Sequence, residues 1–165
     1  MTSRTLVLLR HAKAERPDRY PRDIDRPLSA RGRADAAAAG RWLADQGIFP
    51  DLVLCSPSVR TRQTWEAAGP ALGDAPVVYE TLLYIGGVDE ALELVRQAEA
   101  TVSTILMIGH NPTLSILSTV LDPNGSTGDG LHTAGLAVHR LDGGWADFAA
   151  KSGPLTQEYT ARGSP

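Results

Sequence analysis

The chain has 165 residues, a length that suits one domain, predicted to span residues 1–165 with a loose tail after Gly163. Its net charge of −3 argues against a general nucleic-acid-binding surface, and its apolar runs are far shorter than the ~18 residues of a membrane span. The single cysteine, Cys55, excludes an internal disulfide and favours a reducing compartment. We therefore expect a cytoplasmic protein without nucleic-acid or membrane partners, with a monomer as the working expectation.

The first predicted strand is the apolar run from Leu6 to Leu9, which shows no alternation of polar and apolar residues. A run of this kind is typical of a parallel strand that is covered on both faces. It ends in Arg10 and His11, and ligands of open α/β sheets bind beyond the carboxyl ends of the strands. The pair is therefore a candidate for chemistry, with a strand end that happens to be polar as the alternative.

A loop and a helix follow the first strand. Three prolines block regular structure between Ala14 and Leu28, so we expect this segment to loop over the end of the strand. Ser29 is predicted as the N-cap of an alanine-rich helix that ends near Gly47. The residues of this helix predicted to face the sheet are Ala34, Ala38 and Trp42.

The second predicted strand, from Asp51 to Cys55, leads directly into a helix. Ser56 and Pro57 are predicted as the N-cap and the first-turn proline of that helix. The free N–H groups at a helix start attract anions, and Arg60 would add a bidentate donor to such a site. A solvated surface cation is the alternative for Arg60 and the preferred interpretation of Arg62.

Three further elements are predicted without direct site residues. Pro76–Tyr79 is a short third strand, and an irregular stretch follows it through Gly87. Asp89 is predicted as the N-cap of the next helix, which carries an apolar stripe. Late in the chain, Leu136–Leu141 and Trp145–Ala150 are predicted to pair as a hairpin around an Asp-Gly-Gly turn.

The predicted strand from Ser103 to Gly109 repeats the arrangement of the first, because it is apolar and ends in a histidine, His110. Asn111 and Pro112 again supply an N-cap and a first-turn proline. Since the carboxyl ends of parallel strands meet at one sheet edge, the three polar strand ends should converge in one cationic pocket. The members of this cationic pocket are Arg10, His11, Arg60 and His110.

A metal site is the rival interpretation of the two pocket histidines. It is disfavoured because the two neighbouring arginines would repel a metal ion, and no cysteine or carboxylate has suitable ligand spacing. The remaining two histidines, His132 and His139, lie in the predicted loop and hairpin and are interpreted as structural or solvated.

Four motifs in this order resemble the histidine phosphatase superfamily, and in particular its short branch of SixA-type phosphohistidine phosphatases. The motifs are LLRHAKAE, DRPLSARGR, SPSVRTRQT and MIGHNPTLS. The resemblance implies a three-layer α/β/α sandwich with a mostly parallel central sheet, the phosphoglycerate mutase-like fold, and a reaction without metal or cofactor. It also implies that His11 is the nucleophile, that Arg10 and Arg60 bind the phosphoryl group, and that His110 completes the pocket.

The chemistry of phosphoryl transfer agrees with these roles. A neutral His11 can attack phosphorus if its second ring nitrogen donates to a fixed acceptor such as a backbone carbonyl. Guanidinium groups match the equatorial oxygens of the transferred phosphoryl group, and His110, if protonated, would add a further donor. Asn111, directly after His110, is a further candidate for substrate binding.

The departure from the family pattern concerns the proton donor. The branches of the family that this chain resembles less closely, mutases and phosphoesterases, carry a glutamate after the third strand. Glu80 lies in that region. Its spacing to Gly86 places Thr81 or Leu82 nearer the expected position. Glu80 is therefore either a catalytic general acid or a solvated carboxylate, and the short SixA-like members also lack a clear acid.

The expected function is that of a phosphatase with a phosphohistidine intermediate, acting on phosphohistidine in a protein. The alternatives are a phosphatase of small phosphoesters such as sugar phosphates, a non-catalytic phosphate-binding module and, less favoured, a mutase. A histidine at position 11 favours catalysis, because a pure binding module needs no nucleophile. Only Ala14–Leu28 and Glu80–Val88 can cover the site, which favours a protein substrate over a small one.

Overall fold

The structure, a computed structural model, describes residues 3–125 and 128–164. Its strands are β1 (Ser3–Arg10), β2 (Leu52–Cys55), β3 (Val77–Tyr79), β4 (Thr104–Gly109), β5 (Gly135–Asp142) and β6 (Leu155–Thr160). Its helices are α1 (Ala30–Asp45), α2 (Val59–Ala68), α3 (Leu82–Ile85), α4 (Val88–Arg96) and α5 (Thr113–Leu121). Within the described ranges, no helix is both long enough and apolar enough to cross a bilayer.

The strands form one sheet in the order β3-β2-β4-β1-β5-β6. Strands β1 to β4 run parallel, whereas β5 is antiparallel to both of its neighbours. Alternate side chains of β1 enter two separate cores, with Val7 and Leu9 on the side of α1 and α2, and Leu6 and Leu8 on the side of α4 and α5. The predicted three-layer α/β/α sandwich with a mostly parallel sheet is confirmed.

Helix α1 begins and ends as predicted but buries a different face. The Ser29 side chain accepts a hydrogen bond from the Gly32 N–H at 3.0 Å, and Gly47 beyond the helix has a φ of 72°. The residues fully buried against the sheet are Ala36, Ala39 and Leu43. The predicted residues Ala34, Ala38 and Trp42 are only half-buried, because they lie on the flank of the helix.

Helix α2 starts two residues later than the sequence predicts. Its N-cap is Ser58, whose Oγ accepts a hydrogen bond from the Thr61 N–H at 3.4 Å, so the prediction of Ser56 and Pro57 as cap and first turn is wrong. A Cβ atom at Gly40 of α1 would overlap the backbone of Ala68, so this glycine allows α1 and α2 to pack in direct contact. With the later start, Ser56 lies before the helix, and its hydroxyl accepts a hydrogen bond from the Ser58 N–H at 3.5 Å.

The segment between β3 and α4 is more regular than predicted, because it contains the helical turn α3. The N-cap of α4 is Gly87 and not Asp89. The Gly87 N–H donates to the Glu90 carboxylate at 2.8 Å, so the side chain of the third helical residue caps this end. The N-cap of α5 is likewise Pro112 instead of Asn111.

The hairpin prediction is wrong in its second strand. The partner of β5 is β6, and Trp145–Asp147 forms a short 3-10 turn. Trp145 and Phe148 are both buried and stack with their ring centroids 5.3 Å apart. Their spacing of three residues fits a helical turn that fills the core, whereas a strand would place them on opposite faces. Of the predicted loose tail, Ser164 is exposed and Pro165 lies outside the described residues.

Candidate active site

The carboxyl ends of β1, β2 and β4 lie side by side at one edge of the sheet. In the parallel register Arg10 pairs with Gly109, and Cys55 pairs with Ile108. The backbone hydrogen bonding continues one residue beyond β1, because the His11 N–H donates to the Gly109 carbonyl at 3.0 Å. The sheet therefore fixes the backbone of His11 as firmly as that of a strand residue.

The ring of His11 is buried, with only 7% of the residue exposed. Its Nδ1 lies 2.8 Å from the carbonyl oxygen of Ala12. Because a carbonyl only accepts hydrogen bonds, Nδ1 carries the proton and Nε2 carries a lone pair. Burial, followed by the positive charges of Arg60 and Arg10, lowers the pKa of His11 to about 4, so the ring is neutral at pH 7.

Arg60 is the second residue of α2, and its side chain is buried. Its Nη1 donates to the backbone carbonyl of Asp23 at 2.9 Å, and its Nη2 donates to the Asp23 carboxylate at 2.9 Å and to His110 at 3.3 Å. One turn later, the Thr64 hydroxyl accepts from the Ala12 N–H at 3.1 Å. Helix α2 thus supplies a guanidinium to the pocket and also holds the residue that orients His11.

His110 stands next to His11, with the ring centroids 5.3 Å apart. Its Nδ1 faces Arg60, which can only donate, so Nδ1 accepts and Nε2 donates to the Ser56 hydroxyl at 2.8 Å. Burial, then the charge of Arg60, lowers the pKa of His110 to about 3. The ring of His110 is therefore neutral at pH 7, and not protonated as the sequence interpretation considered.

Arg10 and Asn111 share one acceptor, the carbonyl of Leu131. Arg10 Nη1 donates to it at 3.2 Å, and Asn111 Nδ2 donates to it at 2.7 Å. The Asn111 oxygen meanwhile accepts from the hydroxyl of Ser115 at 2.7 Å. Asn111 is therefore placed beside the pocket with its amide engaged in holding the chain around Leu131. Burial, then the charge of Arg60, lowers the pKa of Arg10, and no carboxylate of the described residues pairs with it.

The arrangement suits an anion in charge and in hydrogen-bond donors. Six buried side-chain nitrogens in the described part of the chain lack a hydrogen-bond partner, and three of them are Nε atoms of arginines whose charge acts on His11. Those arginines are Arg10, Arg26 and Arg60. Buried donors without partners cost free energy, which a bound oxyanion would recover. Residues 3–125 and 128–164 contain no cluster of three or more His, Cys, Asp or Glu side chains suited to a metal ion.

Comparisons with known proteins agree with this geometry. The sequence profile of the histidine phosphatase superfamily (branch 1) matches residues 6–84. The structure of a Nakamurella multipartitia protein, described on a provisional basis as the phosphohistidine phosphatase SixA, is 37% identical with a TM-score of 0.82 and covers 98% of each chain. The chain belongs to the histidine phosphatase superfamily.

Two further relatives are a solved structure and an uncharacterised protein. The protein histidine phosphatase SixA complexed with tungstate shares its fold, with a TM-score of 0.81, 24% identity, and coverage of 94% of this chain and 96% of that one. An uncharacterised protein of Mycobacterium tuberculosis is 38% identical over 147 residues, which cover 84% of this chain and 90% of the relative.

The structure also places Glu80 and Arg62, two polar residues that the sequence interpretation singled out. Glu80 lines a groove with Leu52 and Leu94, and within the described residues its side chain makes no hydrogen bond to the cationic pocket. The general-acid role of Glu80 stays a prediction without support from this placement. Arg62 is not a solvated cation, because its guanidinium carbon lies 3.8 Å from the centre of the Tyr79 ring and the side chain is half-buried.

The sequence interpretation missed three residues around the pocket. Asp23 and Tyr84 form its outer side, since the Tyr84 hydroxyl donates to the Asp23 carboxylate at 2.8 Å and the Tyr84 ring meets His110 edge-on at 5.6 Å between centroids. Burial would raise the pKa of Asp23, but hydrogen bonds from Tyr84 and Arg60 lower it to about 2. The third missed residue is Ser56, whose position directly after β2 was a usable signal.

The histidines outside the pocket have the roles that the sequence predicts. His139 is fully buried in β5, with Nε2 2.8 Å from the Ser118 hydroxyl and Nδ1 2.7 Å from the Gly153 carbonyl. Burial lowers its pKa, so the ring is a neutral structural link between β5 and its neighbours. His132 is exposed.

Proposed function

We propose that the protein is a phosphatase whose His11 accepts the phosphoryl group of the substrate and passes it to water. Membership of the superfamily and a SixA-type relative support phosphatase activity. The observation that carries the proposal is the 2.8 Å hydrogen bond between His11 Nδ1 and the Ala12 carbonyl. It leaves the Nε2 lone pair of a neutral imidazole beside two guanidinium groups, which is the arrangement that nucleophilic attack on phosphorus requires.

The reaction has two steps. First, the His11 Nε2 lone pair forms the N–P bond while the bond from phosphorus to the leaving group breaks, and the leaving group takes the bonding electrons. Water then attacks phosphorus, the N–P electrons return to Nε2, and inorganic phosphate forms, with the protons of the water kept by the phosphate or released to solvent. The guanidiniums of Arg10 and Arg60 stabilise the charge on the equatorial oxygens in both steps. A phosphoryl group beside His110 would raise its pKa and allow it to donate as well.

We propose further that the substrate is phosphohistidine in a protein. A small ligand normally has most of its surface buried, whereas the segments that carry Asp23 and Tyr84 to the outer side of this pocket, Ala14–Leu28 and residues 80–88, are both short. A phosphoester also needs general-acid help worth about 10²–10⁴-fold, and within the described residues the Glu80 side chain makes no hydrogen bond to Arg10, His11, Arg60 or His110. A phosphohistidine leaves as an imidazole that can already carry its own proton.

The test compares kcat/KM for a phosphohistidine-bearing carrier protein, a sugar phosphate and an activated aryl phosphate. We expect the carrier protein to be preferred, with Glu80→Gln close to the parent on it. Preference for the sugar phosphate, with a large Glu80→Gln defect, would instead identify a phosphatase of small phosphoesters. Phosphate binding without turnover of any of the three would identify a non-catalytic binding module.

A further inference from the structure

We propose that Asp23 is an internal competitor of the phosphoryl group, which occupies the donors of Arg60 in the free protein and has to leave them when substrate binds. This inference rests on the proposed function, because it takes Arg60 as a phosphoryl ligand. It assigns to Asp23 a specificity role that follows from its contacts alone: only an anion that binds Arg60 better than a carboxylate already in place can enter the pocket.

The contacts of Arg60 show how much of this residue Asp23 occupies. Nη1 donates to the Asp23 backbone carbonyl and Nη2 to its carboxylate, both at 2.9 Å, and a third donor is engaged by His110. A guanidinium has five N–H groups, so three are in use before any ligand arrives. Both terminal nitrogens, which form the fork that binds oxyanions bidentately, are among those in use.

The carboxylate of Asp23 resembles a bound anion in its other contacts too. Arg26 Nη2 donates to its second oxygen at 3.2 Å, and the Tyr84 hydroxyl donates to the oxygen that also faces Arg60, at 2.8 Å. Asp23 therefore bridges two cations next to His11, where a phosphoryl group would carry more charge and more acceptor oxygens. The two anions would repel each other in this space, so we expect one to exclude the other.

The exposures of the two partners indicate which one moves. The side chain of Arg60 is 7% exposed, whereas that of Asp23 is 49% exposed. Asp23 can exchange its contacts for water at low cost, but withdrawal of Arg60 would leave a buried charge without a partner.

The loop that carries Asp23 is built for such an exchange. Its base is closed by a bridge between Ala14 and Leu28 and by a hydrogen bond from the Glu15 N–H to the Pro27 carbonyl at 2.8 Å. Asp23 belongs to a short 3-10 turn near the middle of the loop, none of whose residues is buried. Movement of this tip therefore breaks the hydrogen bonds of Asp23 but exposes no buried residue of the turn, and it leaves the base of the loop in place.

The test is the affinity for inorganic phosphate, measured by isothermal titration calorimetry at pH 7 on the full chain. Asp23→Asn keeps the size of the side chain and removes its charge, so we expect the dissociation constant for phosphate to fall about tenfold or more. The matched control is Asp25→Asn, which makes the same charge change in the same turn, where Asp25 pairs at 3.3 Å with the exposed Arg22 and not with Arg60. We expect this control to bind phosphate like the parent.

A second variant tests the same idea without changing the charge. Tyr84→Phe removes one of the hydrogen bonds that hold Asp23, and we expect it to tighten phosphate binding by a smaller factor than Asp23→Asn. Equal or weaker binding by Asp23→Asn would overturn the inference and make Asp23 a residue that positions Arg60. If the parent and all variants failed to bind phosphate, the proposed phosphoryl site itself would be wrong.

Discussion

The two histidines of the pocket follow neighbouring parallel strands, yet their hydrogen bonds are opposite in kind. The Nδ1 of His11 is tied to a backbone carbonyl, and its Nε2 is left with a lone pair. Both nitrogens of His110 are engaged by side chains, Nδ1 by Arg60 and Nε2 by Ser56. The difference teaches that a strand end delivers an imidazole, whereas the hydrogen-bond partners decide whether the ring can act as a nucleophile or only as support.

The largest effect is expected at His11. His11→Ala removes the atom that would bond to phosphorus, so we expect a loss of kcat of about 10³-fold or more. Rapid quenching with a labelled substrate, without acid, should trap label on the parent protein and none on this variant. Full activity in His11→Ala would show that the two histidines have been given the wrong roles.

At His110 the expected loss is smaller. His110→Asn removes a donor to the transferred group but leaves the nucleophile, so we expect a fall in kcat of about 10²-fold, the scale for loss of one such donor. The labelled intermediate should still form. Because His110 contacts Arg60, the double variant with Arg60→Ala should lose less than the product of the two single losses. If the loss in the double variant equalled the product of the two single losses, His110 and Arg60 would act independently of each other.

The pH dependence of stability tests whether both His11 and His110 are neutral in the folded protein. The unfolded chain binds protons on histidine below the ordinary pKa of about 6.5, whereas folded His11 and His110 stay neutral until about 4 and about 3. Stability is therefore full above about pH 6.5 and falls as the pH drops, by up to ~1.4 kcal/mol per unit for each ring.

Urea unfolding at pH 7, 6 and 5 in phosphate-free buffer measures this effect. We expect His110→Asn to lose less stability than the parent between pH 7 and 5. Identical pH slopes would mean that His110 is protonated in the folded protein, contrary to its contacts with Arg60.

The orientation of His110 has its own test in Ser56. Ser56→Ala removes the acceptor of the Nε2 proton, so His110 is no longer held in one tautomer. We expect kcat to fall about tenfold, with little change in KM, since the phosphoryl ligands stay in place. Ser58→Ala is the comparison variant, because it removes a helix cap and should lower stability by about 1 kcal/mol without affecting the orientation of His110.

The smallest effect is expected at Glu80, whose side chain makes no hydrogen bond to His11 or His110. Glu80→Gln should change kcat/KM for a phosphohistidine substrate by less than about threefold, within the range of a surface substitution. A loss near the 10²-fold scale of general-acid catalysis would place Glu80 in the reaction after all.

The parts of the site that could be predicted are those that a local pattern reveals. Arg10, His11 and His110 each follow an uninterrupted apolar run, and parallel strand ends meet at one edge whatever the details of packing. Asp23 and Tyr84 could not be found in this way, because they reach the pocket from a loop and a helical turn 61 residues apart in sequence. Only the tertiary packing of that loop on α2 brings them together.

The errors in secondary structure have equally local causes. Two serines stand two positions apart before α2, and either can cap a helix, so composition alone could not choose Ser58 over Ser56. The apolar residues Trp145 and Phe148 suggested a strand, but their three-residue spacing suits a turn that fills the core. Strand β6 is mostly polar and has no buried residue, so its sequence does not show the apolar alternation that predicts a strand.

The closed base of the Ala14–Leu28 loop has a consequence for how this scaffold can change. Because the ends of the loop are pinned to each other, residues inserted at its tip would not strain β1 or α1. The entropic cost of lengthening a loop is small, about 0.6 kcal/mol for each doubling. The reach and shape of the cover over the sheet edge can thus vary almost independently of the folded core, so one phosphoryl pocket can be fitted to substrates of very different size by exchanging a single surface segment.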